Sequence, residues 1–168
     1  KIAYIEKMFK ENLNDYLEKI DCQDTKREYL TLDEVKRLAA TPCKIPVLKA
    51  ASLFSCLTGL RISDILNLQW SDFGLAPDRG YCIRIRTQKT KTEATLPISY
   101  EAYELCGEVG TGKVFKGLTR SMINYPLKHW LAEAGIEKHV TFHCFRHTFA
   151  TLQIAAGTDI YTVSKMLT

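Results

Sequence analysis

The segment from Thr141 to Thr151, which reads TFHCFRHTFAT, constrains the fold more than any other stretch of this chain. Three aromatic residues recur in it at the spacing of one helix face: Phe142, Phe145 and Phe149. With Thr141 as a favourable N-cap, the segment is predicted to form a helix with one buried side. His143 and Arg146 then share another face near the N-terminal end, where unpaired N–H groups attract phosphate. The pattern indicates a site for phosphoryl transfer.

A zinc site is an alternative interpretation of the same segment. His143 and His147 are spaced i, i+4, as in helical zinc pairs, but those pairs carry glutamate after the first histidine, where this chain has Cys144. Arg146 would also bring a fixed positive charge next to the metal. We therefore interpret His147 as a structural histidine with a supporting role, and we expect no metal.

A second arginine-containing motif lies upstream, in residues 58–70, which read TGLRISDILNLQW. Gly59 is expected to close the preceding helix, and Arg61 then stands at the start of a new one. Asp64 follows three residues later and could hold the guanidinium of Arg61 in place. An exposed Arg–Asp pair that contributes little to stability is the alternative interpretation.

Two predicted strands enclose a turn that contains lysines. Residues 81–86 alternate between apolar and polar side chains, as a half-buried strand does, and residues 94–98 predict its partner. The turn between them contains Lys89 and Lys91, and a solvated pair of lysines would be the favoured interpretation in isolation. Most of the remaining apolar spacing is helical. The chain is therefore expected to be α+β and mostly helical, with a small antiparallel sheet.

Composition limits the function classes without selecting one. The 168 residues suffice for one domain with a proper core, and a net charge of +4 permits binding to a polyanion without requiring it. Six scattered cysteines with no C-x-x-C pair favour reduced core thiols. No apolar run is long enough to span a membrane, and we find no signal peptide. Residues 107–113 imitate a P-loop, but Val114 stands where the Mg²⁺-binding Ser or Thr would be.

Together, HCFRHTFAT and TGLRISDIL resemble the H-x-x-R-H box and the first-arginine box of the tyrosine recombinases, the phage-integrase type of site-specific DNA recombinase. The resemblance covers nearly everything from Leu30 onward. It implies a catalytic domain over residues 29–168 with the fold of that family. Residues 1–28 would then be the last helix of an absent N-terminal DNA-clamping domain and a linker.

The resemblance also assigns roles to residues. It implies four catalytic residues: Arg61, Lys89, His143 and Arg146. Three others are implied as supporting residues: Asp64, Lys91 and His147. In the family a tyrosine hydroxyl attacks a DNA phosphate and forms a 3′-phosphotyrosine and a free 5′-hydroxyl, without metal or cofactor. The arginines and the histidine would bind the phosphate, and Lys89, with Lys91 as second choice, would protonate the leaving 5′-oxygen.

The nucleophile is expected outside this sequence. In the family a further His or Trp and then the nucleophilic tyrosine follow the box, and the chain stops at Thr168, before that place. Tyr161 is the only tyrosine after the box, but it occupies a position that the family fills with an ordinary residue. We expect the fragment to be an inactive monomer, and the full-length protein to act as a homotetramer on double-stranded DNA.

Three other functions stay open at this point. The chain could be a non-catalytic DNA-binding module, or a metal- or nucleotide-dependent enzyme that uses the histidine pair or the loop at residues 107–113. Type IB topoisomerases share the attack of a tyrosine on a DNA phosphate, although the residues of both arginine boxes favour recombination. The expected location is the bacterial cytoplasm, at the nucleoid when the protein acts.

Overall fold

The computed structural model describes residues 28–76, 80–86 and 93–167. The helices are α1 (Leu32–Ala40), α2 (Pro46–Thr58), α3 (Ile62–Ile65), α4 (Tyr100–Glu104), α5 (Tyr125–Glu133), α6 (Phe142–Ala155) and α7 (Ile160–Met166). The strands are β1 (Phe73–Leu75), β2 (Tyr81–Arg86) and β3 (Glu93–Pro97), and 3-10 turns occupy Trp70–Asp72 and Arg120–Ile123. The prediction of a mostly helical α+β fold with a small antiparallel sheet is confirmed. The predicted N-terminal helix and nearly all of the linker in residues 1–28 lie outside the described residues.

The sheet has the order β1-β2-β3, and both pairs of strands are antiparallel. Ile83 on β2 lies opposite Phe73 and Leu96, and it is fully buried, whereas the neighbouring Arg84 is exposed. The predicted alternation fails at Cys82, which is buried and lies opposite Gly74 on β1. Strand β1 was not predicted, since three residues are too few to show a period.

The helical core is built around α2 and α6, which pack against each other. Helix α2 is apolar on nearly all sides, and α6 buries the three phenylalanines that the sequence placed on one face: Phe142, Phe145 and Phe149. This packing brings the N-terminal end of α6 next to the C-terminal end of α2. Both arginine-containing motifs therefore meet at one place in the fold.

The helix ends follow the capping residues of the sequence. Thr31 and Glu34 bond to each other's backbone N–H groups at the start of α1, at 3.3 and 2.7 Å. Gly59 closes α2 with a left-handed φ of 70°. The Asp159 carboxylate accepts the Thr162 N–H at 3.0 Å and starts α7. The residue types at these three helix ends predict such caps, because each cap depends on atoms only a few residues apart, and the structure contains all three.

Two predicted helices have different bounds. The sequence pattern after Ser99 predicts a helix to about Val109, but the helix ends at Glu104 and is followed by a loop in which Gly107 has a positive φ of 77°. The pattern from Ser121 to Ala134 predicts one helix, but the structure divides this segment into the second 3-10 turn and α5. Pro126 lies in the first turn of α5, where it is tolerated because it lacks the N–H that a continuous helix would need. Trp130 on α5 belongs to the core.

The segment that precedes α1 is tied to α6. The Leu30 N–H donates to Thr148 Oγ1 at 2.9 Å, and that hydroxyl donates in turn to the Cys144 carbonyl at 2.9 Å. Lys138 adds a second attachment, since its Nζ donates to the Tyr29 carbonyl at 3.2 Å and to Glu34 Oε2 at 2.8 Å. The first described residues are thus attached to the helix that carries the second arginine motif.

The described cysteines are free thiols, and all but the half-buried Cys43 are core residues: Cys56, Cys82, Cys106 and Cys144. Burial raises the pKa of Cys106 to about 12 and that of Cys56 further. The prediction of core thiols is confirmed for these four. None of the helices in the described ranges combines the length and the apolar composition that crossing a bilayer requires.

Candidate active site

A cavity of about 170 Å³ lies where the segment after α2, the start of α3 and the first turn of α6 meet. Its lining consists of Leu60, Arg61, Ile62, Ser63, Arg120, Phe142, His143 and Arg146. Three of the four predicted catalytic residues therefore share one cavity. No Asp or Glu belongs to this lining, so its charged groups are all cationic or titrate to cations.

Arg146 is buried, with only 8% of its surface exposed. Its Nη1 donates to the Gly59 carbonyl at 2.7 Å, and its Nη2 donates to the Leu167 carbonyl. These carbonyls follow α2 and α7, so the guanidinium joins the ends of two helices. A guanidinium has five N–H donors, and these two bonds leave donors that can face the cavity.

The charges of Arg61 and Asp64 both act on Arg146. Burial and, to a smaller extent, the charge of Arg61 lower the pKa of Arg146, the charge of Asp64 opposes both effects, and the resulting pKa is about 10. Asp64 is only 6% exposed and lies in the short helix that Arg61 caps. The structure therefore places Asp64 as the nearby counter-charge of the arginine pair. Its role in orienting Arg61 stays a prediction.

The two box histidines have different surroundings. His143 is exposed and lines the cavity, whereas His147 is half-buried one turn later and is not part of the lining. Their rings lie 4.6 Å apart, centroid to centroid, and are nearly perpendicular at 87°. Within the described ranges, no three His, Cys, Asp or Glu side chains cluster closely enough to hold a metal ion.

The remaining predicted residues lie elsewhere or beyond the described ranges. Lys89 and Lys91 lie outside the described residues, between strands β2 and β3. Tyr161 is 67% exposed, lies under the Lys165 ammonium at 4.5 Å from the ring centre, and does not line the cavity. The glycine-rich loop follows helix α4, not a strand, and bonds to the chain after α3 through the pair Trp70 N–H to Gly112 carbonyl at 3.0 Å.

Sequence reasoning missed two parts of this site. Arg120 lines the cavity, but it stands in a polar turn with no periodic signal that could have singled it out. The carbonyls of Gly59 and Leu167 hold Arg146, yet backbone acceptors leave no trace in the sequence. With guanidinium groups converging at the N-terminal end of a long helix, the cavity belongs to the class of anion-binding sites.

Comparison with known proteins identifies the family of this chain. Residues 28–168 match the phage integrase family, and the chain belongs to that family. The tyrosine recombinase XerA of Thermococcus kodakarensis is 32% identical over an alignment of 178 positions. This alignment covers 94% of this chain and 60% of that protein. XerD of Lacticaseibacillus casei is 31% identical over 127 residues, which cover 66% of this chain and 42% of the relative. The chain spans about half the length of the relatives it matches.

Solved structures agree on the fold. A crystal structure of XerA recombinase superposes with a TM-score of 0.68 at 25% identity, covering 88% of this chain and 56% of that one. A lambda integrase dimer bound to a core site gives a TM-score of 0.74 at 19% identity and covers 99% of this chain and 63% of that one. The family resemblance seen in the two arginine motifs is confirmed by the family match over residues 28–168.

Proposed function

We propose that this chain is the catalytic domain of a site-specific recombinase that cleaves and rejoins double-stranded DNA through a 3′-phosphotyrosine intermediate. The observation that carries the proposal is the convergence of Arg61, His143 and Arg146 on one cavity whose lining has no acidic side chain. Family membership supports the same reaction. Lambda integrase, a structural neighbour, was solved bound to DNA.

The arginines act on the transition state. Attack on a phosphodiester spreads additional negative charge over the phosphate oxygens, and fixed donors stabilise that charge without reorganising. Arg146 suits this role because two backbone carbonyls fix its guanidinium before DNA arrives. Arg61 supplies the second fork, Asp64 balances part of the joint charge, and His143 donates to the same oxygens or assists the proton transfer from the nucleophile.

Lys89 is proposed as the general acid for the leaving 5′-oxygen, with Lys91 as the second choice. A sulfur atom at the bridging position leaves without a proton, so the Lys89→Ala variant should cleave a sulfur-substituted DNA almost normally while failing on ordinary DNA. Single-turnover cleavage of both substrates measures this. If the sulfur-substituted DNA restores cleavage by Lys91→Ala and not by Lys89→Ala, the general acid is Lys91.

The attacking tyrosine is proposed to be a residue of the longer protein other than Tyr161. Tyr161 is exposed, interacts with Lys165 and lies outside the cavity lining, which supports this choice. We further propose that this fragment alone is inactive and monomeric, that the whole protein works as a homotetramer on DNA, and that it acts at the nucleoid in the bacterial cytoplasm.

The test uses the full-length protein and a nicked duplex that carries its recombination site, selected by binding from a random library. A denaturing gel detects the covalent protein–DNA adduct. Arg61→Ala and Arg146→Ala should each slow adduct formation on the order of a hundredfold or more, with a much smaller loss of affinity. Tyr161→Phe should form the adduct at the normal rate.

Three results would contradict the proposal. Binding of the site without any adduct would indicate a DNA-binding module. Equal losses of affinity and rate in the arginine variants would make both residues simple backbone clamps. Relaxation of supercoiled DNA that lacks the site would favour a topoisomerase.

A further inference from the structure

We propose that Arg120 is a DNA-positioning residue that binds the phosphate next to the scissile one in the same strand. This inference rests on the proposed function and deepens it. Arg120 belongs to the cavity lining together with Arg61, His143 and Arg146, but unlike the buried Arg146 it is exposed. It therefore stands on the rim of the cavity, where a neighbouring DNA group would pass.

The turn that carries Arg120 is anchored on both sides. Leu118 before it is buried, and Met122 and Ile123 after it pack against the core. The Thr119 and Ser121 hydroxyls, which flank Arg120, are hydrogen-bonded to each other at 2.8 Å. The backbone is thus fixed by its neighbours while the Arg120 side chain projects into solvent, so the fold presents a guanidinium beside the cavity.

Arg120 has no counter-charge within the part of the chain that the structure describes. Neither the His129–Glu133 ion pair nor the Lys138–Glu34 ion pair includes it. An unpaired guanidinium beside two other arginines is repelled by them, and this repulsion becomes an attraction only when an anion enters. The position of Arg120 is therefore unfavourable in the free protein and favourable in a complex with a polyanion.

Charge balance selects the neighbouring phosphate over the scissile one. One phosphodiester carries one negative charge, and Arg61 and Arg146 already exceed it in the cavity. A third arginine adds most where a second negative charge is present, and along a DNA strand that charge is the adjacent phosphate. A flexible, exposed side chain also suits ground-state binding, whereas transition-state stabilisation needs the fixed geometry that Arg146 has.

The first experiment measures binding of the 168-residue chain to a mixed-sequence duplex by fluorescence anisotropy over a range of KCl concentrations. Arg120→Gln should weaken binding on the order of tenfold at low salt and lower the slope of log K against log salt by roughly one. Arg120→Lys should keep most of the slope, because the charge is retained. Arg37→Gln is the matched control, since Arg37 is an exposed arginine of α1 that does not line the cavity, and it should leave the slope unchanged.

The second experiment measures single-turnover adduct formation by the full-length protein. Arg120→Gln should raise the DNA concentration for half-maximal rate by the same factor as the affinity loss, and should lower the rate at saturating DNA by less than tenfold. A hundredfold lower rate at saturating DNA would overturn the proposal and make Arg120 a transition-state ligand. A loss confined to duplexes with one particular base pair would also overturn it, in favour of a base-edge contact.

The phosphate contact of Arg120 and the recombinase activity can be refuted independently. An unchanged salt slope for Arg120→Gln, with normal adduct formation by the wild-type protein, would refute the positioning role alone. A lowered slope in a protein that forms no adduct would refute the proposed recombinase function while supporting the phosphate contact.

Discussion

A buried arginine held by carbonyl groups is the central residue of the site. Burial and the charge of Arg61 lower the pKa of Arg146 to about 10, with Asp64 opposing. The folded state thus holds this proton less tightly than the unfolded state, and the contribution of Arg146 to stability improves only as the pH rises above about 10. Arg146 stays charged at neutral pH, so the free-energy cost of burying its charge is constant there. An anion bound in the cavity reduces this cost.

Asp64→Asn tests this balance of charge. The change keeps the shape of the side chain but removes the negative charge next to two arginines, so it should destabilise the free protein by about 3 kcal/mol. Sulfate in the cavity would replace part of the lost charge. The difference in melting temperature from wild type should therefore be smaller in potassium sulfate than in potassium chloride of equal ionic strength.

Asp33→Asn is the control for this measurement, because Asp33 is exposed in the first turn of α1. Sulfate stabilises folded proteins in general, and the control variant shares that general effect. If Asp64→Asn and Asp33→Asn respond equally to sulfate, the cavity does not bind the anion.

At the scale of elements, the turn between α2 and α3 determines the site. Gly59 has a left-handed backbone, and its carbonyl accepts the bond from Arg146. A Cβ at this position would lie 2.6 Å from Phe149 Cδ1 and 2.9 Å from Leu167 Cδ2. The turn is thus packed between α6 and the end of α7, and both the conformation and the space require glycine.

Gly59→Ala should lower the free energy of unfolding well beyond the backbone term. Gly117 is the matched position, because its φ is also positive, at 83°, and nothing lies within 4 Å of an added Cβ. Gly117→Ala should cost about 1–2 kcal/mol from the left-handed backbone alone. Gly59→Ala should cost about 1–3 kcal/mol more, since the methyl group overpacks the site. Urea denaturation measures both, and equal values would show that the core relaxes around the methyl group.

The accuracy of the sequence predictions also differs by element. The ends of α1, α2 and α7 were predictable because Thr31, Gly59 and Asp159 act on atoms within a few residues. Strand β1 was not, because it exists only through pairing with β2. The early end of α4 and the division before α5 likewise depend on a left-handed glycine loop and on Pro126, whose effects compete with a continuing apolar pattern.

The candidate site likewise combines residues that local sequence predicts with contacts that depend on tertiary packing. Arg61, His143 and Arg146 were predictable because each stands in a motif with a recognisable neighbourhood. The bonds from Arg146 to two distant carbonyls, and the approach of Arg120, arise only when α2, α6 and the second 3-10 turn meet. Local sequence patterns do not reveal such tertiary contacts.

At the scale of the whole molecule, Lys138 connects the beginning of the domain to the loop between α5 and α6. Its bond to Glu34 Oε2 at 2.8 Å joins segments that are 104 residues apart. Burial acts to raise the pKa of Glu34, but the bonds from Lys138 and Thr31 outweigh it and leave that pKa below 4.5. The charged carboxylate therefore stabilises the fold above pH 4.5, and this contribution is lost as the pH falls through the lowered pKa.

Glu34→Gln should lower the melting temperature at pH 7, and this difference from wild type should shrink as the pH falls through the lowered pKa of Glu34, because the wild-type carboxylate then takes up its proton. Glutamine retains an acceptor for the Thr31 N–H, so the variant isolates the charge. In a Lys138→Gln background, Glu34→Gln should lower the melting temperature less at pH 7. An undiminished loss in that background would show that the charge of Glu34 does not stabilise the fold through Lys138.

The distribution of the buried thiols gives the molecule a set of internal reporters of local opening. Cys56 lies in α2, Cys82 in β2, Cys106 after α4 and Cys144 in α6, so each part of the core contains one. A buried thiol reacts with an alkylating reagent only when its surroundings open, and the raised pKa values of Cys56 and Cys106 suppress the reaction further. Among the thiols that the structure describes, peptide-level mass spectrometry should find Cys43 labelled first, then Cys82 in the narrow sheet, with Cys56 and Cys144 last and together. A single common rate for the buried thiols would instead mean that sheet and helices open as one unit.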